Sequence, residues 1–481
     1  MNRKVILVFA AVSTLLTSCM VGPKYSKPSA PAAPSYREQP PSSFTGSGGW
    51  KTAQPKDSLL RAKWWELFNS PDLNALEEQI EPANQNLKVS EANFNQARQY
   101  ITVNKAYLAP TVAVNPYLDS VHQSSNRPFL VSKGFTSADF YFPADVSYEL
   151  DLWGRIRRTI NAAKESFQAT AADLEAVKLS LHAELATDYF EARSLDREKQ
   201  LLDDTVAQYE KALTLTRNRF EGGISSKAEV AQSETQLKQV QAEDIEVGVA
   251  RAQYEHAIAV LIGENPESFV MKYEPVQGAP PVIPVGVPSQ LLERRPDIAA
   301  AERRMAAVNE QIGIAEAAYY PTLSITATGG FEGNSITNWF TWPSRFWSVG
   351  PQSSEILFDH GIRRARVNIA KYAYEGTVAS YRQTTLTAFQ QVEDNLSTLR
   401  ILEQEAARAH EATQAAESSL QLSINRYKGG LVTYLEVVTA QNIALTNERT
   451  EVDIQRRRMD ATIALIMALG GGWDTAKLPA T

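Results

Sequence analysis

Asn218-Arg219-Phe220-Glu221-Gly222-Gly223 returns as Asn425-Arg426-Tyr427-Lys428-Gly429-Gly430, 207 residues further on. Working outward, Trp153-Gly154-Arg155 is echoed by His360-Gly361-Ile362, Arg157 by Arg364, Glu229 by Glu436 and Gly263 by Gly470. Gly154 stands 68 residues before Gly222, and Gly361 stands 68 before Gly429. A loop-rich domain tolerates insertions over such a distance. A long helix does not, because one added residue turns everything downstream by about 100°. The chain reads as two copies of one long-helix unit.

Between Arg155 and Arg219 there is neither proline nor glycine, and at 1.5 Å per residue such a run makes a rod of roughly 100 Å. Leu195, Leu202, Val206, Tyr209, Leu213 and Phe220 follow a coiled-coil seam. The second rod, Ile362–Tyr427, is interrupted only by Gly376, and its seam includes Leu396, Leu399, Leu402 and Leu420. Each Gly-Gly pair ends its rod, and a returning helix runs to about Ile262 or Leu469. The pattern predicts two antiparallel coiled-coil hairpins.

Ahead of each hairpin the period changes to two. Thr322-Leu323-Ser324-Ile325-Thr326-Ala327-Thr328 alternates hydroxyl and apolar residues, and Asp145–Leu152 alternates acidic or polar with large apolar ones. Strands are expected at about 110–118 and 139–152 in the first copy and about 321–331 and 347–358 in the second. In the expected register Val146, Tyr148, Leu150 and Leu152 face lipid, while Asp145, Ser147, Glu149 and Asp151 face water. The reverse would put four polar or charged residues in lipid at several kcal/mol in total. Four membrane-crossing strands cannot close a barrel alone, so strands that span a membrane demand oligomerisation. A soluble sandwich is the alternative for the same alternation.

The ends are of a different kind. Arg3 and Lys4 precede an apolar run, Val5–Leu16, too short at about 12 residues to span a bilayer and consistent with a signal peptide over 1–18. Leu16-Thr17-Ser18-Cys19 resembles a bacterial lipobox, making Cys19, the chain's one cysteine, a lipidation candidate and excluding an intrachain disulfide. Residues 19–60 read as a proline-rich tether, 61–262 as the first repeat, 263–296 as a proline-rich connector, 297–473 as the second repeat, and 474–481 as a tail. Without Arg3 and Lys4 the chain carries 46 basic and 55 acidic side chains, a net charge of −9, which argues against nucleic-acid binding. The five histidines have no metal-ligand spacing, and no nucleophile elbow or phosphate-cradling loop is present. No catalytic residue, metal site or cofactor is expected.

The lipobox, Trp64-Trp65, Tyr148–Arg155, Arg294-Arg295-Pro296-Asp297-Ile298, Tyr319–Leu323, Arg426–Leu431 and Ala468–Trp473 occur in one order. Together they resemble the TolC-type outer membrane factors, in their NodT-like lipoprotein branch. The resemblance implies a mainly α fold with a β-barrel contribution: a homotrimer whose twelve strands close one barrel above a periplasmic α-helical tunnel. It implies a lipid-anchored outer membrane exit duct of a tripartite efflux pump. The implied partners are outer membrane lipid, a periplasmic adaptor docking at the hairpin tips, and an inner-membrane transporter of the RND type. The tips are near 220–226 and 427–433, with Arg219, Gly222, Gly223, Arg426, Gly429 and Gly430 as docking residues. Glu229, Leu435, Glu436 and Thr439 are the candidate periplasmic gate, the two glutamates supplying six carboxylates around a trimer. Thr439 and Asn442 stand where the family often carries charged partners. A type I protein-secretion outlet shares the fold and is the alternative, ahead of an adaptor or a non-channel coiled-coil lipoprotein.

Overall fold

The computed structural model describes residues 20–30, 33–39, 41, 63–126, 135–275, 278–283 and 292–480. The expected signal peptide, Cys19, much of the tether and part of the connector lie outside the described residues.

The two copies superpose in length residue for residue. Helix α3 (Arg155–Glu221) and helix α6 (Ile362–Lys428) each hold 67 residues, and the returning helices α4 (Lys227–Leu261) and α7 (Tyr434–Ala468) each hold 35. Each rod begins after a glycine in the left-handed region, Gly154 at φ 81° and Gly361 at φ 88°. Each ends on a glycine followed by a second at positive φ, Gly223 at 73° and Gly430 at 71°. Ser226 caps α4 by accepting from the Glu229 amide. Leu202, Tyr209 and Leu213 are buried on the first seam against Leu237, Val240 and Val247 of α4, while Phe220 is 43% exposed and leaves the seam. Leu396, Leu399 and Leu402 of α6 are buried as the pattern requires. Gly376 does not break α6, since a single glycine costs a helix only about 1 kcal/mol.

Three shorter helices lie beside the rods: α1 (Pro71–Ala83), α2 (Gln85–Ala106) and α5 (Pro296–Ala317). Ser70 accepts from the Leu73 amide to start α1, and proline opens both α1 and α5. The Trp64-Trp65 pair begins a 3₁₀ turn, Trp64–Phe68, and both rings are buried in the main core with Leu185, Tyr189, Phe190, Val392 and Ile466. The connector is pinned to the outside of α3 at the buried Asp196. Its carboxylate accepts from Arg251 Nε (2.8 Å) and the Glu274 amide (2.9 Å), and its carbonyl accepts from the Tyr273 hydroxyl.

The strands form one antiparallel sheet. Strands β1 (Thr111–Val114) and β2 (Tyr117–His122) both pair with β3 (Thr136–Leu150), which pairs with β4 (Thr322–Gly333), which pairs with β5 (Arg345–Ser354). The first expected strand is broken in two at Asn115-Pro116, where proline has no amide to donate. The strand expected at 139–152 ends at Leu150. Asp151 turns instead into a helix cap, accepting from the Ile156 and Arg157 amides at 3.0 and 2.9 Å, so neither it nor Leu152 has a strand face. The strand expected at 347–358 starts and ends earlier, at Arg345 and Ser354.

Register carries the two-faced character across the sheet. The rows Val112–Val146–Ala327–Val349 and Tyr148–Ile325–Pro351 lie on one face. On the other lie Ala113–Asp145–Thr328–Ser348 and Glu149–Ser324–Gln352. Val146, Tyr148 and Leu150 therefore share the apolar face, while Asp145, Ser147 and Glu149 share the polar one.

Candidate functional site

At the far end of the rods the two hairpins are laced together. Tyr427, the last aromatic of α6, is 3% exposed, whereas its counterpart Phe220 on α3 points outward. The Tyr427 hydroxyl donates to Glu229 Oε2 at 3.2 Å on α4, and its ring lies edge-on to the buried Tyr434 at 5.3 Å. The Arg219 guanidinium stacks over the same ring at 4.7 Å, and its Nη1 donates to the Lys428 carbonyl at 3.1 Å. Every one of these contacts except the Tyr427–Tyr434 pair joins hairpin one to hairpin two. Burial, foremost, and the Glu229 carboxylate both push the Tyr427 hydroxyl's pKa up, so the tyrosine stays a donor.

Of the expected gate residues, Glu229 and Glu436 are not free carboxylates. Glu229 accepts from Tyr427, and Glu436 pairs with Arg426 at 2.7 Å within hairpin two. Leu435 is 58% exposed beside the tip, and Thr439 bonds its own helix at the Leu435 carbonyl. Arg219, Gly222, Gly223, Arg426, Gly429 and Gly430 all sit at the turns. Sequence reading missed the Tyr427–Glu229 tie. Its signal was the one hydroxyl by which Tyr427 differs from Phe220 in the matched motif.

Higher up, the hairpins meet along α3 and α7. Arg449 pairs with Glu198 at 2.6 Å and Glu243 at 3.1 Å, and Arg456 pairs with Glu191, Asp453 and Asp460. Asp188 and Asp460 lie in this seam, and burial pushes each up to about 7, reinforced by Glu184 and Glu191 at Asp188 and by Glu191 against the pull of Arg456 at Asp460. The seam holds more carboxylates than cations and gains a proton near neutrality.

At the opposite end the polar face of the sheet carries Asp119, Asp139, Asp145, Glu149 and Glu332, and no lysine or arginine among the described strand residues. Asp145 accepts from the Thr328 hydroxyl at 2.7 Å, and Glu149 pairs with Arg155 at 2.7 Å. Among the described residues no cluster of three or more acidic, histidine or cysteine side chains is placed to hold a metal. His182 instead bonds Glu77 at 2.7 Å beneath the stacked Trp65 ring.

A sheet with one apolar face, continuous with paired rods of roughly 100 Å, has a known counterpart. The outer membrane efflux protein family matches residues 76–264 and 287–471. The chain belongs to this family. It is 29% identical over 484 residues to the solvent efflux pump outer membrane protein SrpC of Pseudomonas putida, spanning 99% of this chain and 100% of that one. It is 27% identical over 471 residues to the toluene efflux pump outer membrane protein TtgC of Pseudomonas putida, spanning 98% and 96%. Its fold matches that of the outer-membrane channel OprN with a TM-score of 0.85 and 28% identity, covering 95% of this chain and 100% of the other. This outer membrane efflux protein is thus a channel component rather than an enzyme.

Proposed function

We propose that three copies close their sheets into a twelve-stranded barrel and their hairpins into a periplasmic tunnel, forming the exit duct of a tripartite pump. The observation that carries this is the sheet's two open edges. Strand β5 on one side and β1 with β2 on the other have no second partner on their outer edges among the described residues, and open edges are not tolerated in lipid. Edge pairing between copies removes all of them. The polar face, rich in carboxylates, then lines water.

Conduction is passive, and the cargo is small apolar or amphipathic molecules, in keeping with relatives named for solvent and toluene efflux. The tips at Arg219, Gly222, Gly223, Arg426, Gly429 and Gly430 receive a periplasmic adaptor, through which an inner-membrane transporter of the RND type supplies the energy. Cys19 carries the lipid that anchors each copy. The laced tips, with Tyr427 holding Glu229, Arg426 holding Glu436, and Leu435 and Thr439 beside them, keep the periplasmic end narrow until the adaptor engages.

The test is single-channel recording from the full-length, lipidated protein in planar bilayers, joined to solvent-tolerance assays in cells lacking it. Small cation-preferring steps, together with lost tolerance, support the duct. Folded trimers that never conduct, even with the tips disrupted, would overturn it.

A further inference from the structure

The β4–β5 connection is folded over the apolar face of the sheet. Asn338 is its hub: its side chain accepts from the Ser335 amide and bonds Asn334, and its carbonyl accepts from the Thr341 and Ser344 hydroxyls. The connection thereby lays Trp339 edge-on against Phe140 at 5.3 Å, and Phe340 against Phe142 and Phe331 at 5.6 Å each. All three of those phenylalanines lie in apolar-face register positions. The outer surface of this shelf leaves Ile336, Phe340, Trp342 and Trp347 between 59% and 77% exposed.

Arg345 stands in the same row as Phe142 and Phe331, which makes it the one charged residue on the apolar face of the described strands. Its guanidinium lies over the Trp342 ring at 3.6 Å, and no carboxylate among the described residues pairs with it. A second copy pairing along β5 would bring Leu118, Ser120 and His122 to this face, none of them an anion. Arg345 is eight residues from Ser353, the apolar-face position at the helix end of β5. That separation is roughly 26 Å along the strand, or about 20 Å across the membrane at a tilt near 40°. An apolar band is about 25 Å tall, which leaves the Arg345 backbone about 5 Å short of its outer edge, and a long arginine side chain spans that gap to put the guanidinium at the outer headgroup level.

We infer that Arg345, held on Trp342, binds the phosphate of an outer-leaflet lipid whose acyl chains lie on the aromatic shelf. The chemistry fits a phosphorylated glycolipid: a planar guanidinium grips phosphate with two parallel hydrogen bonds, and the neighbouring rings offer apolar contact to the chains. The inference rests on the barrel reading of the sheet, and one of its controls tests that reading separately.

The experiment measures the apparent affinity of lipid A for the purified full-length protein in mixed micelles, by thermal shift and by native mass spectrometry. The wild type is compared with Arg345→Gln and Arg345→Lys. Diphosphorylated lipid A should bind the wild type at least about ten-fold more tightly than Arg345→Gln, the worth of one strong ionic contact. Arg345→Lys should recover part of the loss. Phosphate-free lipid A should bind all three alike and weakly, and inorganic phosphate should not compete. If Arg345→Gln fails to assemble, Trp342→Leu, which keeps the charge and removes the stacking, should still loosen binding several-fold. Equal binding by wild type and variants, or full competition by inorganic phosphate, would overturn the lipid site. Bilayer conductance of the same preparations separates the two readings: conducting channels without lipid selectivity sink this inference alone, and no conductance from the wild type sinks the barrel.

Discussion

Tyr427 at the end of one hairpin gives its hydroxyl proton to Glu229 on the other, at 3.2 Å, while Arg219 lies across the same ring. The bond joins two hairpins that also meet there through Arg219, so its loss acts on their separation more than on either hairpin's own stability. Tyr427→Phe keeps the ring in its pocket and removes only the donor. It should weaken the tie by about 1 kcal/mol and raise the open fraction of single channels roughly five-fold. Glu229→Gln, which can still accept, should do less.

The strap that follows Cys19 crosses one spot where backbone meets backbone. The Val21 amide donates to the Trp153 carbonyl, and the buried Arg158 gives Nε to the Val21 carbonyl and Nη2 to the Pro23 carbonyl while pairing with Glu310 at 3.0 Å. A Cβ on Gly313 would sit against the Arg158 side chain, and one on Gly22 would meet the Gly313 Cα. Gly313→Ala should therefore cost about 1–3 kcal/mol and release the strap. Faster trypsin cleavage after Lys24, with assembly otherwise kept, is the readout.

Burial pushes Glu77 up from 4.5 to about 9 and His182 down from 6.5 to about 4, so the pair is a neutral acid facing a neutral imidazole. Glu77 supports stability fully below its unfolded value and loses that support as pH rises toward 9. His182 supports stability fully above 6.5 and loses it as pH falls toward 4. Between 4.5 and 6.5 the two slopes oppose each other. The melting temperature should hold level there, then decline on the alkaline side. Glu77→Gln should flatten the alkaline decline and leave the acid limb. An unchanged alkaline slope in that variant would remove Glu77 from the account.

Asp188 and Asp460, both raised to about 7, set the same sign for the seam between α3 and α7. Each binds its proton more tightly folded than unfolded, so acidification from pH 8 to 6 tightens the seam. Asp188→Asn should raise thermal stability at pH 8 and change little at pH 5. A variant less stable than wild type at pH 8 would mean that Asp188 serves as a needed anion for Arg456 instead.

The rods were legible because helical periodicity and a strict 207-residue offset constrain each other; both copies of α3 and α4 match to the residue. The sheet faces were legible from Asp145–Leu150 for the same reason, a period of two with one acidic face. Strand ends were not. Asp151 continues the alternation but its carboxylate finds two free helix amides, and local capping overrides the pattern. The tip residues were placed by their glycines, yet the tie itself was hidden. It joins Tyr427 to a residue 198 positions away, and no periodicity reports contacts between hairpins. Phe220 leaves the expected seam for solvent, whereas its counterpart Tyr427 is buried.

Two rods of 67 residues and two returns of 35 make the chain a ruler inscribed twice. Its reach is stored in duplicate, so no single deletion can shorten it cleanly. Removing seven residues from α3 and its return, and none from α6, would stagger the paired turns by roughly 10 Å and part Tyr427 from Glu229. The span of these rods can change only in matched edits to both copies.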